Sequence, residues 1–369
     1  MKTTQTSLSS LLSEIDVQFN GSRPTDVTIN DERAYKAIAS GGTLAIGKAF
    51  MDNWWECEDL ASLVARVYLD GDFERKIVAY DEWPLLIKGL FFNLQSRARA
   101  YMVAHDHYDI GNDLYQAMLD ERMVYTSAMW SGVTTLEAAQ EQKLEALCQK
   151  MGLKAGDRIL DIGCGWGSLM QFAAERYGVM CVGLTVSKEQ KALGEERCQG
   201  LPVEFVLTDY REYVDETGFD HIVSVEMLEA VGPKNFKTYF NKVHELLKPG
   251  GRFVLQTIGL QTPARPAGDL WIDRYIFPNG ILPSLSQLES HTRKLFTWEH
   301  LENIGPDYDP TLMAWWERFD KAYGELSQRN PKYDQRFYRM WKFYLQSCAG
   351  LFRARAVQDW QIVFRKPAS

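Results

Sequence analysis

The chain has 369 residues, 46% of them hydrophobic, and a formal net charge of −8. This length exceeds that of a typical single domain, so we expect two domains or one domain with large insertions. The negative charge argues against a generally basic nucleic-acid-binding protein. The lack of an apolar stretch of about 18 residues argues against a membrane-spanning helix.

The amino-terminal part, residues 1–95, is predicted to form a small α+β domain that binds lipid or a second copy of the chain. Residues 74–104, which include the basic run Arg97-Ala98-Arg99, are predicted to form a linker helix that ends at about residue 105. The patterns inside this domain indicate a short strand at 26–29 and helices at 34–39 and 59–68.

The cysteine and histidine spacing predicts no metal site. No two of the six cysteines are spaced Cys-x-x-Cys, and none belongs to a Cys/His cluster with zinc spacing. The segment His105-Asp106-His107 is better interpreted as a polar turn or helix cap, because no third His follows at helical spacing. Free thiols fit a reducing cytosol, and the apolar run near the N-terminus is too weak for a signal peptide. We therefore expect a cytoplasmic protein.

Residues 106–369 are predicted to form a second, larger domain with an α/β fold, a doubly wound seven-stranded sheet and an inserted cap. Strand and helix patterns alternate at lengths typical of a mostly parallel sheet. Prolines and aromatic residues interrupt the alternation over residues 260–300, which we interpret as the cap. The predicted strands are 158–162, 179–186, 203–208, 219–225, 252–258, 295–304 and 360–364, and the predicted helices are 137–151, 168–177, 234–247, 310–328 and 333–356.

The first predicted strand of this sheet ends in a glycine-rich turn, Asp161-Ile162-Gly163-Cys164-Gly165-Trp166-Gly167, and a helix pattern begins at Ser168. Glycine permits positive φ and close approach of a ligand, and the helix start offers free N–H groups. The spacing is Gly-x-Gly-x-Gly rather than the dinucleotide Gly-x-Gly-x-x-Gly, which favours a cofactor without a pyrophosphate. The alternative is a tight turn that binds nothing.

Ligands of doubly wound sheets gather where the strands end, and polar residues follow several predicted strands here. A nucleoside needs hydroxyl partners for its ribose, for which Thr185 and Gln190 are candidates. Asp209 is a candidate acceptor for an adenine amine, with Tyr210 beside the ring.

Ser187 and Gln190 match a capping box. No acid ends the second strand, which weakens a general nucleotide-binding interpretation. Glu226 and Glu229 follow another predicted strand, and Gln256 lies near the carboxyl end of the next one.

Several segments together resemble the cyclopropane fatty acid synthase family, in the same order and over nearly the whole chain. The resemblance implies a class I methyltransferase fold, S-adenosylmethionine as methyl donor and the unsaturated acyl chain of a membrane phospholipid as acceptor. It assigns the cofactor pocket to Tyr125, Thr126, Gly163, Gly165, Thr185, Gln190, Asp209 and Tyr210, beside the turn residues Asp161 and Gly167. The matching segments are Phe50-Met51-Asp52-Asn53-Trp54-Trp55-Glu56-Cys57, Tyr125-Thr126-Ser127, the glycine turn, Gly183-Leu184-Thr185-Val186-Ser187-Lys188-Glu189-Gln190, Tyr275-Ile276-Phe277-Pro278-Asn279-Gly280 and Cys348-Ala349-Gly350-Leu351-Phe352-Arg353-Ala354-Arg355.

The same resemblance implies a bound bicarbonate as the base that removes a proton from the product. Its ligand positions correspond to Glu229, the backbone of Ile258 and Tyr308, whereas Ser127 replaces a Cys and Gln256 replaces a His. Glu226 adds a second carboxyl group, and like charges close together repel. Two hypotheses follow: bicarbonate binds through the changed ligand set, or a Glu carboxylate takes the proton itself. Cys348 matches a position labelled as the active-site cysteine, although alkene methylation does not require a thiol.

The sequence leaves the product and the assembly open. Cyclopropane formation on phospholipid acyl chains is the first hypothesis, and methyl transfer without ring closure is the second. Methylation of a soluble small molecule and non-catalytic lipid binding are the alternatives from other classes. Contact with the inner face of the membrane is expected to be peripheral, through a surface patch, with a homodimer as one way to strengthen it.

Overall fold

The computed structural model describes residues 2–40, 42–69, 111–261 and 269–368. The predicted linker 74–104 with its basic run and the segment His105-Asp106-His107 lie outside the described residues. The chain divides into two compact units that do not follow chain order. The first comprises Met1–Phe92, Arg265–Pro278 and Tyr308–Val357, and the second comprises Asn93–Ala264, Asn279–Asp307 and Gln358–Ser369. The predicted domain boundary near residue 105 stays a prediction.

The secondary structure of the described residues runs in the following chain order. The first part contains α1 (Lys2–Glu14), β1 (Thr28–Ile29), α2 (Arg33–Ser40), α3 (Gly42–Met51), β2 (Trp55–Glu56), α4 (Leu60–Leu69), α5 (Asn112–Met118) and α6 (Leu136–Met151). There follow β3 (Arg158–Ile162), α7 (Ser168–Tyr177), β4 (Met180–Thr185), α8 (Lys188–Arg197), β5 (Val203–Leu207), β6 (Phe219–Val225), α9 (Phe236–Leu246) and β7 (Leu247–Gly259). The last elements are α10 (Leu270–Tyr275), α11 (Leu285–Thr292), β8 (Thr297–Asn303), α12 (Gly305–Arg329), α13 (Gln335–Arg353) and β9 (Gln358–Arg365).

The first unit is built from chain segments that are far apart in sequence. Its two short strands β1 and β2 pair antiparallel. The Arg339 guanidinium on α13 donates to the carbonyl oxygens of Phe50 and Trp55. The Gln346 side chain, also on α13, accepts from the Leu60 N–H at the start of α4, 3.2 Å away. Apolar side chains of α3, α10 and α13 fill the interior, with the rings of Trp271 and Phe343 4.6 Å apart.

The second unit contains the predicted seven-stranded sheet, in the order β5-β4-β3-β6-β7-β9-β8. The strands β3 to β7 pair in parallel, and β9 runs antiparallel to both of its neighbours. One core cluster contains apolar residues of α9, and the other contains those of α6 and α7. Helices therefore cover both faces, as in a doubly wound sheet, and the predicted fold class is confirmed.

The element boundaries differ from the prediction mainly at β7 and α12. The strand β7 begins at Leu247 rather than at residue 252, because the strand continues through Pro249-Gly250-Gly251, with a register shift against β6 and a φ of 77° at Gly250. The helix α12 begins at Gly305 rather than at about residue 310. A 3₁₀ turn, Pro233–Asn235, precedes α9. The predicted cap region holds α10 and α11. Of the described residues, none belongs to a helix that is long and apolar enough to cross a membrane.

Candidate active site

The glycine turn after β3 has the backbone that its sequence predicts. Gly163 has a φ of 84° and Gly165 a φ of 54°, values that favour glycine. A Cβ on Gly163 would lie 2.5 Å from the Met227 side chain, whereas a Cβ on Gly165 would enter open space. Gly163 is therefore required by packing, and Gly165 borders a space that a ligand can enter.

Ser168, the residue that breaks the dinucleotide spacing, has a structural role. Its hydroxyl is buried and donates to the carbonyl oxygens of Arg122 and Met123. This attaches the start of α7 to the segment that carries Tyr125 and Thr126. The dinucleotide motif would have its third glycine at position 168, and a glycine there would lose both hydrogen bonds.

The predicted capping box at the start of α8 is only half present. The Ser187 hydroxyl accepts from the Gln190 N–H, 3.2 Å away. The Gln190 side chain does not return to the cap, because its Oε1 accepts from the Thr185 hydroxyl at 3.0 Å. The two residues predicted to contact a ribose are thus joined at the carboxyl end of β4. A complete capping box lies instead at Ser284 and Gln287, before α11.

Asp209 and Tyr210 follow β5 and are both buried. The Asp209 carboxylate accepts from the Arg211 guanidinium, with an Nε–Oδ1 distance of 2.7 Å, and from the Arg211 N–H at 2.9 Å. The ring of Tyr210 packs edge-on against Tyr239, 5.3 Å away. These hydrogen bonds from Arg211 orient the carboxylate, and the sequence interpretation missed this residue.

Tyr125 and Thr126 precede the acidic part of the site, and α6 holds this segment. The Lys143 ammonium donates to the Thr126 hydroxyl at 2.7 Å. The Gln140 side chain donates to the Thr126 carbonyl at 2.9 Å. Lys143 is fully buried, which lowers its pKa to about 8, although Glu226 and three aspartates oppose the shift.

The residues at these strand ends fit an adenosyl cofactor. Asp161 is buried at the end of β3, and its Oδ1 has no hydrogen-bond partner among the described residues. Burial raises its pKa to about 7. A partnerless buried carboxyl oxygen, the open space at Gly165 and the Thr185–Gln190 pair together provide polar groups for a nucleoside.

Three carboxyl groups lie close together at the carboxyl ends of the parallel strands, next to this pocket. The Gln256 Nε2 donates to Glu226 Oε1 and to Asp359 Oδ2, each at 2.9 Å. Glu226 Oε1 also accepts from the Ser127 N–H at 2.8 Å. Glu229 Oε1 accepts from the Ile258 N–H at 2.5 Å and from the Thr257 hydroxyl at 2.8 Å. We call Glu226, Glu229 and Asp359 the carboxyl cluster.

Burial determines the charge of the carboxyl cluster. Desolvation, reinforced by the negative charge of Glu226, raises the pKa of Glu229 to about 8. Desolvation and the charges of Glu226 and Glu229 also hold the pKa of Asp359 well above its ordinary value. The buried Glu229 Oε2 and Asp359 Oδ1 have no hydrogen-bond partner among the described residues.

The sequence interpretation brought Ser127, Glu226, Glu229, Gln256 and Ile258 together but missed Asp359 and Lys143. Asp359 is the acid in the largely buried carboxyl-terminal strand β9, opposite Ile258 in the β7–β9 register. Lys143 stands among the buried residues of α6. No local sequence pattern marked either residue, because both stand beside other polar residues. No group of His, Cys, Asp and Glu among the described residues is arranged to hold a metal ion.

Tyr308 and Cys348 belong to the first unit. The Tyr308 ring stacks on Phe352 at 4.4 Å and meets Trp315 edge-on. Burial raises the pKa of the Cys348 thiol to about 12, so the thiol is neutral at physiological pH. Roles for both residues in the reaction stay predictions.

The parallel sheet with its antiparallel β9 and the glycine turn after β3 define a class I methyltransferase fold. The family model described as mycolic acid cyclopropane synthetase matches residues 95–362. The chain belongs to this family, which confirms the resemblance found in the sequence.

Three relatives illustrate the match. The chain is 46% identical to the cyclopropane-fatty-acyl-phospholipid synthase of Escherichia coli K12, over 96% of this chain and 92% of that protein. It is 32% identical to the tuberculostearic acid methyltransferase UfaA1 of Mycobacterium tuberculosis, over 90% and 81% respectively. The structure of mycolic acid cyclopropane synthase CmaA1 complexed with SAH and CTAB superposes with a TM-score of 0.66 at 27% identity, covering 72% of this chain and 98% of that one.

Proposed function

We propose that the protein transfers a methylene unit from S-adenosylmethionine to the cis double bond of an unsaturated phospholipid acyl chain, which forms a cyclopropane ring and S-adenosylhomocysteine. The observation that carries this proposal is the similarity to the E. coli cyclopropane-fatty-acyl-phospholipid synthase over nearly the full length of both proteins. Family membership and the strand-end pocket support it independently.

The cofactor supplies a methyl group on a positively charged sulfur, which is a strong electrophile. Thr185 and Gln190 would hold the ribose, Asp209 would accept from the adenine amine, and the backbone at Gly163 and Gly165 would permit close approach. Tyr125, Thr126 and Asp161 border the same strand ends. Of these groups, Asp161, Thr185, Gln190 and Asp209 are buried, which helps to exclude water, as a reaction through a carbocation requires.

The lipid chemistry needs a proton acceptor. The π electrons of the alkene would form the first bond to the methyl carbon while the bond from that carbon to sulfur breaks, its electron pair staying on the sulfur of S-adenosylhomocysteine, which leaves a carbocation on the acyl chain. A C–H bond of the new methyl group then breaks, its electron pair closes the three-membered ring, and the proton passes to a base. The carboxyl cluster contains the bases that this site offers.

The hydrogen bonds around the cluster support a carboxylate as that base. At three of the positions that the resemblance assigns to bicarbonate, donors already bind the protein's own carboxyl groups: Ser127 N–H and Gln256 Nε2 donate to Glu226, and Ile258 N–H donates to Glu229. A bicarbonate ion would have to displace them and sit beside three acids. We therefore propose Glu226 as the proton acceptor, with Asp359 sharing the Gln256 amide that donates to it.

Methyl transfer without ring closure is the second candidate. It is supported by the relative named tuberculostearic acid methyltransferase and by Ser127 and Gln256, which change the side chains around the base. A carbocation that loses its proton from another carbon gives a methylene or methyl-branched product.

We further propose that the protein works on the cytoplasmic side of the inner membrane, in peripheral contact with it. All six cysteines are free thiols, which fits a reducing compartment, and phospholipid acyl chains are found in membranes. Residues 1–95 and the linker are the proposed contact with lipid or with a second copy of the chain.

The test is incubation of the protein with ¹³C-methyl-labelled S-adenosylmethionine and vesicles of unsaturated phospholipid. A labelled cyclopropyl signal in the NMR spectrum of the extracted lipid is expected. A labelled methyl or methylene signal would establish the second candidate, and absence of label from the lipid would overturn both.

The base is tested in the same assay after removal of bicarbonate. Activity that does not respond to added bicarbonate and falls by about 100-fold or more in Glu226→Gln is expected. The exposed Glu196→Gln variant is the matched control. Activity that rises with bicarbonate and survives Glu226→Gln would contradict a carboxylate base.

A further inference from the structure

A line of polar side chains runs from the edge of the sheet to the carboxyl cluster. In the strand register Gln361 on β9 lies between Glu302 on β8 and Gln256 on β7. Lys150, in the last turn of α6, donates to Glu302 Oε2 at 2.5 Å and also to Gln361 Oε1. Gln361 Nε2 donates to Gln256 Oε1 at 2.9 Å. We call Lys150, Gln361 and Gln256 the amide relay.

Lys150 determines the direction of every hydrogen bond in the amide relay. An ammonium group only donates, so the Gln361 atom that faces Lys150 must be the oxygen. The Gln361 NH₂ group therefore faces Gln256, and the Gln256 atom that receives it must also be an oxygen. Gln256 is left with its NH₂ group toward Glu226 and Asp359, and it uses one hydrogen for each.

The direction of the hydrogen bonds in the amide relay affects whether Glu226 and Asp359 are ionised or protonated. An NH₂ group that donates to a carboxylate favours its ionised form. A reversed Gln256 would present a carbonyl oxygen to both acids, and each acid would then need a proton to make a hydrogen bond. Only the observed direction leaves a carboxylate that can receive a proton.

We propose that Lys150 and Gln361 are positioning residues that orient the Gln256 amide so that its NH₂ group faces both acids and Glu226 stays available as the proton acceptor. This inference rests on the proposed function. It concerns residues that lie outside the cofactor pocket and act only through Gln256.

Other charged groups also act on these two acids. Glu229, on the turn after β6, opposes ionisation of Asp359, whereas Lys143 on α6 favours it. Asp161 on β3, Asp120 and the two acids themselves interact with Lys143. These groups are the same in all the variants below, so any shift comes from the substituted residue.

The sharpest test is Gln361→Glu, which keeps the shape of the side chain and its contact with Lys150 but removes its donor. Gln256 must then donate to position 361 and turn its oxygen toward the acids. We expect the acidic limb of the pH profile of kcat to move up by about one pH unit, with the KM for S-adenosylmethionine unchanged within about twofold. Asn303→Asp on β8, also an amide-to-acid exchange, controls for the added charge.

Two further variants of Lys150 keep the test decisive if Gln361→Glu does not fold, as judged by circular dichroism. Lys150→Arg retains a group that only donates, so its pH profile should follow the wild type. Lys150→Met removes the donor and should move the acidic limb of the pH profile of kcat to higher pH. Coincident profiles for Gln361→Glu and Asn303→Asp, or for the two Lys150 variants, would overturn the proposal.

A measurement without turnover separates this inference from the proposed function. Titration of ¹³C-carboxyl-labelled aspartate by NMR, with Asp359 assigned from Asp359→Asn, reports the ionisation of Asp359 directly. We expect the pKa of Asp359 to be higher in Gln361→Glu than in the wild type, whether or not lipid is methylated. If the wild type labels no lipid, the proposed function fails, while an unchanged Asp359 titration overturns the relay.

Discussion

Gln256 makes two hydrogen bonds with Glu226, one through its backbone and one through its side chain. The Glu226 N–H donates to the Gln256 carbonyl at 2.8 Å, and the Gln256 side chain donates to the Glu226 carboxyl group at 2.9 Å. Glu226 has a φ of 49°, a left-handed conformation that non-glycine residues adopt only when their surroundings enforce it. The paired contacts supply that enforcement and fix where the carboxyl group lies.

Replacing Gln256 by Met should therefore lower activity mainly at low pH. Met has a similar length but donates no hydrogen bond, so Asp359 loses the contact that lowers its pKa. We expect kcat at neutral pH to fall by about tenfold or more and to recover partly as the pH rises. A pH series of initial rates measures this, with the exposed Gln199→Met as control. A uniform loss at all pH values would contradict it.

The glycine turn allows folding and cofactor binding to be separated. Gly163→Ala combines a positive φ with a clash against Met227, so it should lower the free energy of unfolding by about 2–4 kcal/mol. Gly165→Ala has only the conformational cost of about 1 kcal/mol, but its methyl group enters the space that we assign to the cofactor.

Chemical unfolding and calorimetric titration with S-adenosylmethionine distinguish the two variants. Gly165→Ala should fold and bind the cofactor at least about tenfold more weakly, which corresponds to roughly 1.4 kcal/mol. Unchanged binding by Gly165→Ala would place the cofactor elsewhere.

The carboxyl cluster should make the protein less stable as the pH rises. The folded protein raises the pKa of Glu229 from 4.5 to about 8, so the protonated form is favoured by folding. Its contribution is fully present below 4.5 and is lost as the pH approaches about 8, at up to roughly 1.4 kcal/mol per pH unit. Asp161 acts in the same direction up to about pH 7, whereas Lys143, with a lowered pKa of about 8, stays charged over most of this range.

Glu229→Gln should reduce this pH dependence without abolishing it, because Asp161 and Asp359 remain. Urea unfolding at a series of pH values, compared with the exposed Glu196→Gln, provides the measurement. Equal slopes for wild type and Glu229→Gln would show that Glu229 ionises as easily in the folded as in the unfolded chain.

In the first unit, Asp26 is predicted to be a stabilising acid. Burial opposes its ionisation, but hydrogen bonds from the Arg23 guanidinium and from the N–H groups of Arg23 and Gln18 outweigh burial and lower its pKa to about 2. Asp26→Asn should lower the free energy of unfolding by about 2 kcal/mol. Because the folded pKa is lowered, the difference from wild type should be full above 3.8 and shrink as the pH falls toward about 2. A difference independent of pH would contradict this.

The local patterns of the sequence were sufficient to predict most of the fold. The strand β3 and the helix α7 have the predicted bounds, because an apolar strand followed by glycine and a helix pattern is a local signal. Most residues assigned to the cofactor pocket were predicted because they lie at the ends of such strands, and their role stays a prediction. The β7 boundary was wrong, since the Pro-Gly-Gly segment ends a helix but does not prevent the strand from starting earlier.

The carboxyl cluster could be predicted only in part. The contact of Asp359 with Gln256 spans 103 residues and depends on the antiparallel register of β9, which no local pattern specifies. The Ser168 hydroxyl contacts a carbonyl 46 residues away. Such contacts arise from the arrangement of strands and helices, so they become visible only when the fold is known.

The first unit is assembled from segments that are far apart in sequence, which has a consequence for the synthesis of the chain. Arg339 and Gln346 reach the segment 50–60 across more than 280 residues of sequence. A ribosome releases the amino terminus first, so the early segments must wait, with apolar surface exposed, until α13 has been made. We expect this unit to depend more on chaperones during translation than a domain built from one continuous segment.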